Sequence, residues 1–385
     1  DHMLVVWLDQ RIGNHDIYAQ RLTDAGQRLW AEDLRINPAT DSAQNEPILA
    51  VLANGEALVA WSSANQNGIA LQKVSSTGTL LWPTPKSIQL AGQFVDPETA
   101  PGLLAMGDAV LVAWRVTPDD QLYLQRLDVQ GNKGWPQPVA ITQPSHIVAP
   151  LHQIMLGAPS TGKVLVAWPV AASDDQQGIY SQQIDQNGTL DWPVALRVSS
   201  TTGSVDQTAP ALVVTAAGQS IIAWQDRRAA APSLYVQRFT SDGQRFWRDQ
   251  VSASRRAFTE PNPLIPDLAI IDDDALVAWA DERSGVMRIY AQRLDRRGHR
   301  LWNADRPASR AQASTDAQSN PVIGAHAGSA TLAWEEERGQ QRLIVAQRID
   351  AGGIPQWQTD VVVSDPATNP RAPAVAVDAA GYTTL

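Results

Sequence analysis

Seven tryptophans, Trp7, Trp61, Trp114, Trp168, Trp224, Trp279 and Trp334, each close a Leu/Val-rich run and recur every 53 to 56 residues. A second series, Trp30, Trp82, Trp135, Trp192, Trp247, Trp302 and Trp357, lies four residues beyond a glycine each time. Together they account for all 14 tryptophans of the 385-residue chain. A period of this length, present seven times, restricts the fold to a solenoid, a propeller or an array. Units of this kind cannot bury their apolar faces alone, so residues 4–385 read as one domain, with repeats starting near the first-series tryptophans. Asp1-His2-Met3 reads as a cloning remnant ahead of it.

One repeat shows what each unit contains. Ala211–Thr215 and Ser220–Trp224 are β-rich runs joined by a tight turn at Gly218. Leu234–Phe239 alternates in period two, Ser241-Asp-Gly243 turns the chain, and Arg245-Phe-Trp247 opens a fourth strand. Four antiparallel strands, A to D, per unit of this size describe a blade, and seven of them a seven-bladed all-β propeller. The chain starts inside a strand B (Leu4–Trp7) and ends with a strand A (Ala374–Asp378), so the C-terminal strand is expected to pair with the N-terminal blade and close the ring. Helical solenoids are excluded by the period of two and the Gly, Pro, Asp and Asn punctuation.

Composition narrows the function classes. The chain has no cysteine, which removes disulfides and thiolate chemistry. Its net charge of −10 is uneven: residues 1–195 hold 19 acids against 10 bases, and residues 196–385 hold 21 acids against 20 bases, all arginine. An acidic total argues against nucleic acid as a partner. No apolar run reaches the length of a membrane span. A secreted or bacterial cell-surface location and a monomeric state are expected.

Comparing the copies separates scaffold from variable surface. From the start of strand C to the turn glycine the spacing is always eight, as in Tyr18 to Gly26, and from that glycine to the second tryptophan it is always four. A glutamine fills the third position of strand C in every copy: Gln20, Gln72, Gln125, Gln182, Gln237, Gln292 and Gln347. Such uniformity predicts structural roles: positive φ at the glycines, and bonded indoles and amides in the wedges between blades. Length varies instead in the B-to-C and D-to-A loops, which share one face, and that face is expected to carry function.

In four copies the first tryptophan is followed by an acid at +2 and an arginine at +4: Asp9/Arg11, Asp226/Arg228, Asp281/Arg283 and Glu336/Arg338. They belong to blades five, six, seven and one, contiguous in a closed ring. Such an arc suits a polar or anionic partner through bidentate arginine contacts, but local stapling of the B-to-C loops is the favoured reading, since repeated charge pairs are commonly structural. Arg255, Arg256 and Phe258 form the most irregular D-to-A loop and the best single contact candidate. The histidines show no metal-ligand spacing, and no nucleophile elbow or phosphate loop occurs. No cofactor or metal is expected; Asp272-Asp-Asp274 lacks the spacing of a dedicated calcium loop and reads as a solvated turn.

Trp279-Ala-Asp-Glu-Arg283 followed by Arg288-Ile-Tyr-Ala-Gln-Arg-Leu-Asp295 and Gly298 resembles the blade repeats of secreted bacterial β-propeller proteins, as does Trp7-Leu-Asp-Gln-Arg11 with Asp16-Ile-Tyr-Ala-Gln-Arg21. It is distantly similar to the TolB-type repeat, although the Ser-Pro-Asp-Gly turn of that repeat is absent. The resemblance implies an interaction or spacer module. The expectation is therefore a non-catalytic protein-interaction or scaffolding propeller, with a protein or glycan ligand on the variable face. Two alternatives stand beside it: a glycan-binding, lectin-like propeller, and a carbohydrate-active enzyme with carboxylates at the channel mouth. A glycosidase pair drawn from Asp226, Asp281 or Glu336 would need a separation that sequence does not supply.

Overall fold

A computed structural model describes residues 2–378 except 12, 39–43, 53, 64–67, 89–93, 96–99, 118–120, 142–153, 159–161, 171–176, 200–206, 229–231, 256–264, 311–315, 327 and 365–368. The strands form seven antiparallel sheets, each built on the order A-B-C-D. The protein is a seven-bladed β-propeller. In blade five, strand A is Gln207–Val214, B is Ser220–Asp226, C is Ser233–Phe239 and D is Val251–Ser252. Blade one joins the two ends of the chain: strand A is Arg371–Asp378, while B (His2–Asp9), C (Asp16–Thr23) and D (Leu34–Arg35) come from the N-terminus. Val375 lies opposite Val5 and Ala374 opposite Val6, so the ring closes by β-pairing of its termini. Each strand A neighbours the strand A of the next blade, which sets seven inner strands around a central channel.

The apolar side chains fill seven wedges, one at each blade–blade interface. One first-series tryptophan sits in every wedge, at most 1 % exposed. Alternation along strands B and C sends one set of side chains toward the preceding blade and the other toward the next, which is why these strands are buried on both faces.

Strand D differs from the sequence expectation. After the turn glycine only a single bridge forms, for example Phe239 to Arg245, and the paired strand comes later, at Val251–Ser252. Between them the chain leaves its own blade so that the second-series tryptophan reaches the next one. A methyl group on Gly78 would lie 3.0 Å from the Trp30 ring, on Gly243 2.7 Å from Trp192, and on Gly353 2.8 Å from Trp302. The indole N–H then donates to a carbonyl of that neighbouring turn, from Trp135 to Gln186 at 3.0 Å and from Trp357 to Asp24 at 2.6 Å. The strand C glutamine holds the same tryptophan by its backbone: Gln347 Nε2 donates to the Trp357 carbonyl, and Gln347 Oε1 accepts the Trp357 N–H at 2.9 Å. Fixed spacings from glutamine to glycine to tryptophan are thus one inter-blade lock, repeated around the ring.

Candidate functional site

The acid/arginine pairs that the sequence singles out are tied into their own blades. Asp9, Asp226, Asp281 and Glu336 are buried, and each accepts the N–H of its blade's first tryptophan, as Trp7 Nε1 to Asp9 Oδ2 at 3.2 Å. The three aspartates also accept the backbone N–H of their arginine, at 2.8 to 2.9 Å. The guanidiniums of Arg11, Arg228 and Arg283 stack on Tyr18, Tyr235 and Tyr290 at 3.9, 4.3 and 4.4 Å. Arg11 bridges onward to Asp33, and Arg283 to Asp305. Arg338 pairs with Glu336 at 2.6 Å. Asp226, Asp281 and Glu336 each turn to the tryptophan of a separate blade, so the geometry brings no two of them together as a pair.

Arg255 donates from Nε and Nη2 to the carbonyl of Trp302, at 3.1 and 3.0 Å, which braces blade five against blade six. Arg310 makes the equivalent contact to Trp357. Arg256 and Phe258 lie outside the described residues. The acidic turn Asp272–Asp274 is met by arginines rather than left to solvent: Arg238 donates to Asp273 at 2.7 Å, and Arg293 pairs with Asp272 and Asp274. Among the described residues no group of three or more His, Asp or Glu is arranged to hold a metal ion.

A different set of residues converges on the variable-loop end of the channel. Strand A of blades one, two, five and seven carries a β-bulge there, where pairing with strand B slips by one residue. At each bulge a residue ahead of a proline takes a left-handed conformation: Glu46 (φ 46°), Ala209 (φ 50°), Asn320 (φ 50°) and Ala372 (φ 47°). A non-glycine residue held there costs about 1–3 kcal/mol, and a bulge re-aims the side chain it carries. These bulges were not among the expectations from sequence, because Xaa-Pro pairs such as Ala100-Pro101 and Ile265-Pro266 occur at the corresponding position of other copies as well.

Blades seven, one and two are neighbours, and their bulges meet around Glu335. This carboxylate, next to Trp334 in strand B of blade seven, is buried. Its Oε1 accepts from Asn320 Nδ2 and from the Ala372 backbone N–H, both at 2.8 Å, and Arg342 lies 3.5 Å from Oε2. Glu46 faces it from blade two. Loss of solvent, and then the charge of Glu335, push the Glu46 carboxyl above its ordinary value. A partly exposed acid near a buried, bonded carboxylate is an arrangement that favours the protonated form of that acid. On the blade-one side, the His15 carbonyl accepts the Gln44 N–H at 2.9 Å, two residues from Glu46. Burial, and then the charge of Arg371, lower the His15 imidazole from its ordinary value. On the channel wall of blade six, Asp267 accepts the N–H groups of Leu268 and of Ile323 in blade seven, and desolvation raises its carboxyl to about 7.

No protein-family model and no curated protein matches the chain. Solved structures do. A protein of unknown function from Dyadobacter fermentans is 14% identical with a TM-score of 0.50, covering 83% of this chain and 97% of that one. The polysaccharide lyase Uly1 is 11% identical with a TM-score of 0.52, over 87% of this chain and 85% of the lyase. A Penicillium chrysogenum α-L-arabinanase solved with arabinobiose is 11% identical with a TM-score of 0.49, over 82% and 96%. At these identities the likeness establishes the propeller fold. The expectation of a non-catalytic protein-interaction or scaffolding module is corrected here: a solved propeller that shares this architecture is a polysaccharide lyase.

Proposed function

We propose that the chain is a carbohydrate-active enzyme that cleaves glycosidic bonds at the channel mouth of blades seven, one and two. The observation that carries this reading is Glu46 set within reach of the charge of the buried, bonded Glu335, where its own burial and then that charge push the Glu46 carboxyl above its ordinary value. Glu46 is the general acid: it gives its proton to the leaving glycosidic oxygen, while a water molecule adds its oxygen to the anomeric carbon as that bond breaks and gives up the proton that restores the acid. Glu335 is a positioning residue that holds the proton on Glu46 and sets negative charge beneath the sugar as positive charge develops at its anomeric carbon. The fold of a polysaccharide lyase supports a saccharide as the occupant. The likeness of the blades to secreted bacterial repeats suits an extracellular or surface setting, where polysaccharides are met.

The test is release of reducing ends from a panel of polysaccharides by the protein and by Glu46→Gln. Loss of one general acid lowers turnover by about 10²–10⁴-fold. Turnover by Glu46→Gln equal to that of the original chain overturns the assignment. Saccharide binding with no turnover by either protein makes the chain a glycan-binding propeller instead.

A further inference from the structure

The mouth holds a cation as well as the two carboxyl groups. Arg371 stands exposed at the start of strand A of blade one, opposite Leu8 and one residue before Ala372, whose N–H is bonded to Glu335. Its charge reaches His15 on the other side. Other arginines of this face are satisfied within the fold. Arg11, Arg228, Arg283 and Arg338 pair with their acids, Arg35 with Asp16, and Arg255 and Arg310 with tryptophan carbonyls. Among the described residues Arg371 has no ion pair or hydrogen bond from its guanidinium, and the nearby Glu335 is taken up by Asn320, Ala372 and Arg342.

A guanidinium left open one residue from the backbone that binds Glu335, in a protein of net charge −10, is a fork for a planar or tetrahedral oxyanion. A neutral sugar would gain little from it. We propose that Arg371 anchors an anionic group of the bound sugar, a uronate carboxylate or a sulfate ester, so that the substrate of this site is an acidic polysaccharide. The inference rests on the glycan-cleaving reading for its location, but it concerns binding and is testable apart from turnover.

The experiment measures affinity of the folded protein for polygalacturonate, a sulfated galactan and neutral arabinan at one ionic strength. The same measurement is made on Arg371→Gln, Arg371→Lys and Glu46→Gln, with melting temperature recorded for each. The expected result is binding of an acidic polymer in preference to arabinan, weakened about 10- to 100-fold in Arg371→Gln. Arg371→Lys keeps the charge without the fork and falls between the two. Because Arg371 lies on the ring-closing strand, competition by monomeric galacturonate against galactose on the original chain gives a second reading that needs no variant. Preference for polygalacturonate identifies the carboxylate, and preference for the galactan identifies the sulfate. Equal affinity for acidic and neutral polymers, no binding at all, or a folded Arg371→Gln that binds acidic polymer unchanged overturns the proposal. Acidic binding without cleavage sinks the enzymatic reading alone, whereas cleavage of arabinan alone sinks the anionic subsite and leaves that reading in place.

Discussion

One methyl group at Gly243 would meet the Trp192 ring at 2.7 Å, while a methyl at Gly285 would meet nothing within 4 Å, yet both glycines have φ near +85°. The left-handed backbone alone costs an L-residue about 1–2 kcal/mol, and a clash with a packed ring adds about 1–3 kcal/mol. Gly243→Ala is therefore expected to lose roughly twice the stability of Gly285→Ala in denaturant titration; equal losses would remove the lock from the account. Single carboxyl groups carry the pH dependence. Asp267 has a folded-state value of about 7 against an ordinary 3.8, so the folded protein binds its proton more tightly than the unfolded chain. Its contribution is full below about pH 4 and falls as pH rises to about 7, where it levels off. Melting temperature across that window should decline in the original chain and decline less in Asp267→Asn. For Glu46 the raised value means that activity is lost as pH rises through it. Glu335→Gln removes the like charge, so the alkaline limb of the pH–rate profile should move to lower pH, a shift that mere loosening of the fold would not produce.

At the scale of strands and loops, the arginine at +4 from the first tryptophan anchors the B-to-C connection to a buried acid and to the tyrosine of strand C. In blade six the same Arg283 also reaches Asp305 and Ser254, so its loop, the preceding D-to-A segment and strand C are held by one guanidinium. Removing it leaves the buried Asp281 with the Trp279 and backbone N–H bonds but without its guanidinium partner. Arg283→Ala should cost about 1–3 kcal/mol, the range for a charge-assisted bond broken at a largely buried site, and a thermal melt checks it. The proline-flanked bulges do the opposite work. They interrupt strand A near the mouth, leave an inner strand free of its regular register there, and turn Asn320 toward Glu335.

For the whole molecule, closure depends on residues more than 360 positions apart, since strand A of blade one is the C-terminal strand paired to His2–Leu8. A chain ending at residue 370 should melt lower by on the order of 10 °C, and it should lose the Ala372 bond that holds Glu335. An unchanged melting temperature would refute closure as a source of stability. Ring, blade count, strand order and uniform hairpin are legible in the sequence, because a tryptophan at fixed spacing reports the repeated packing distance directly. The acid/arginine pairs were legible as a pattern, and three-dimensional contacts then tied them to their own tryptophans. The channel mouth was not legible. Glu46, Glu335 and Arg371 lie in different blades and at non-equivalent repeat positions, so no internal comparison aligns them. Sequence by itself determined the scaffold, since every copy must bury the same wedge. Only the tertiary structure decided the site, because closing the ring brings the bulges of the last, first and second blades around one carboxylate.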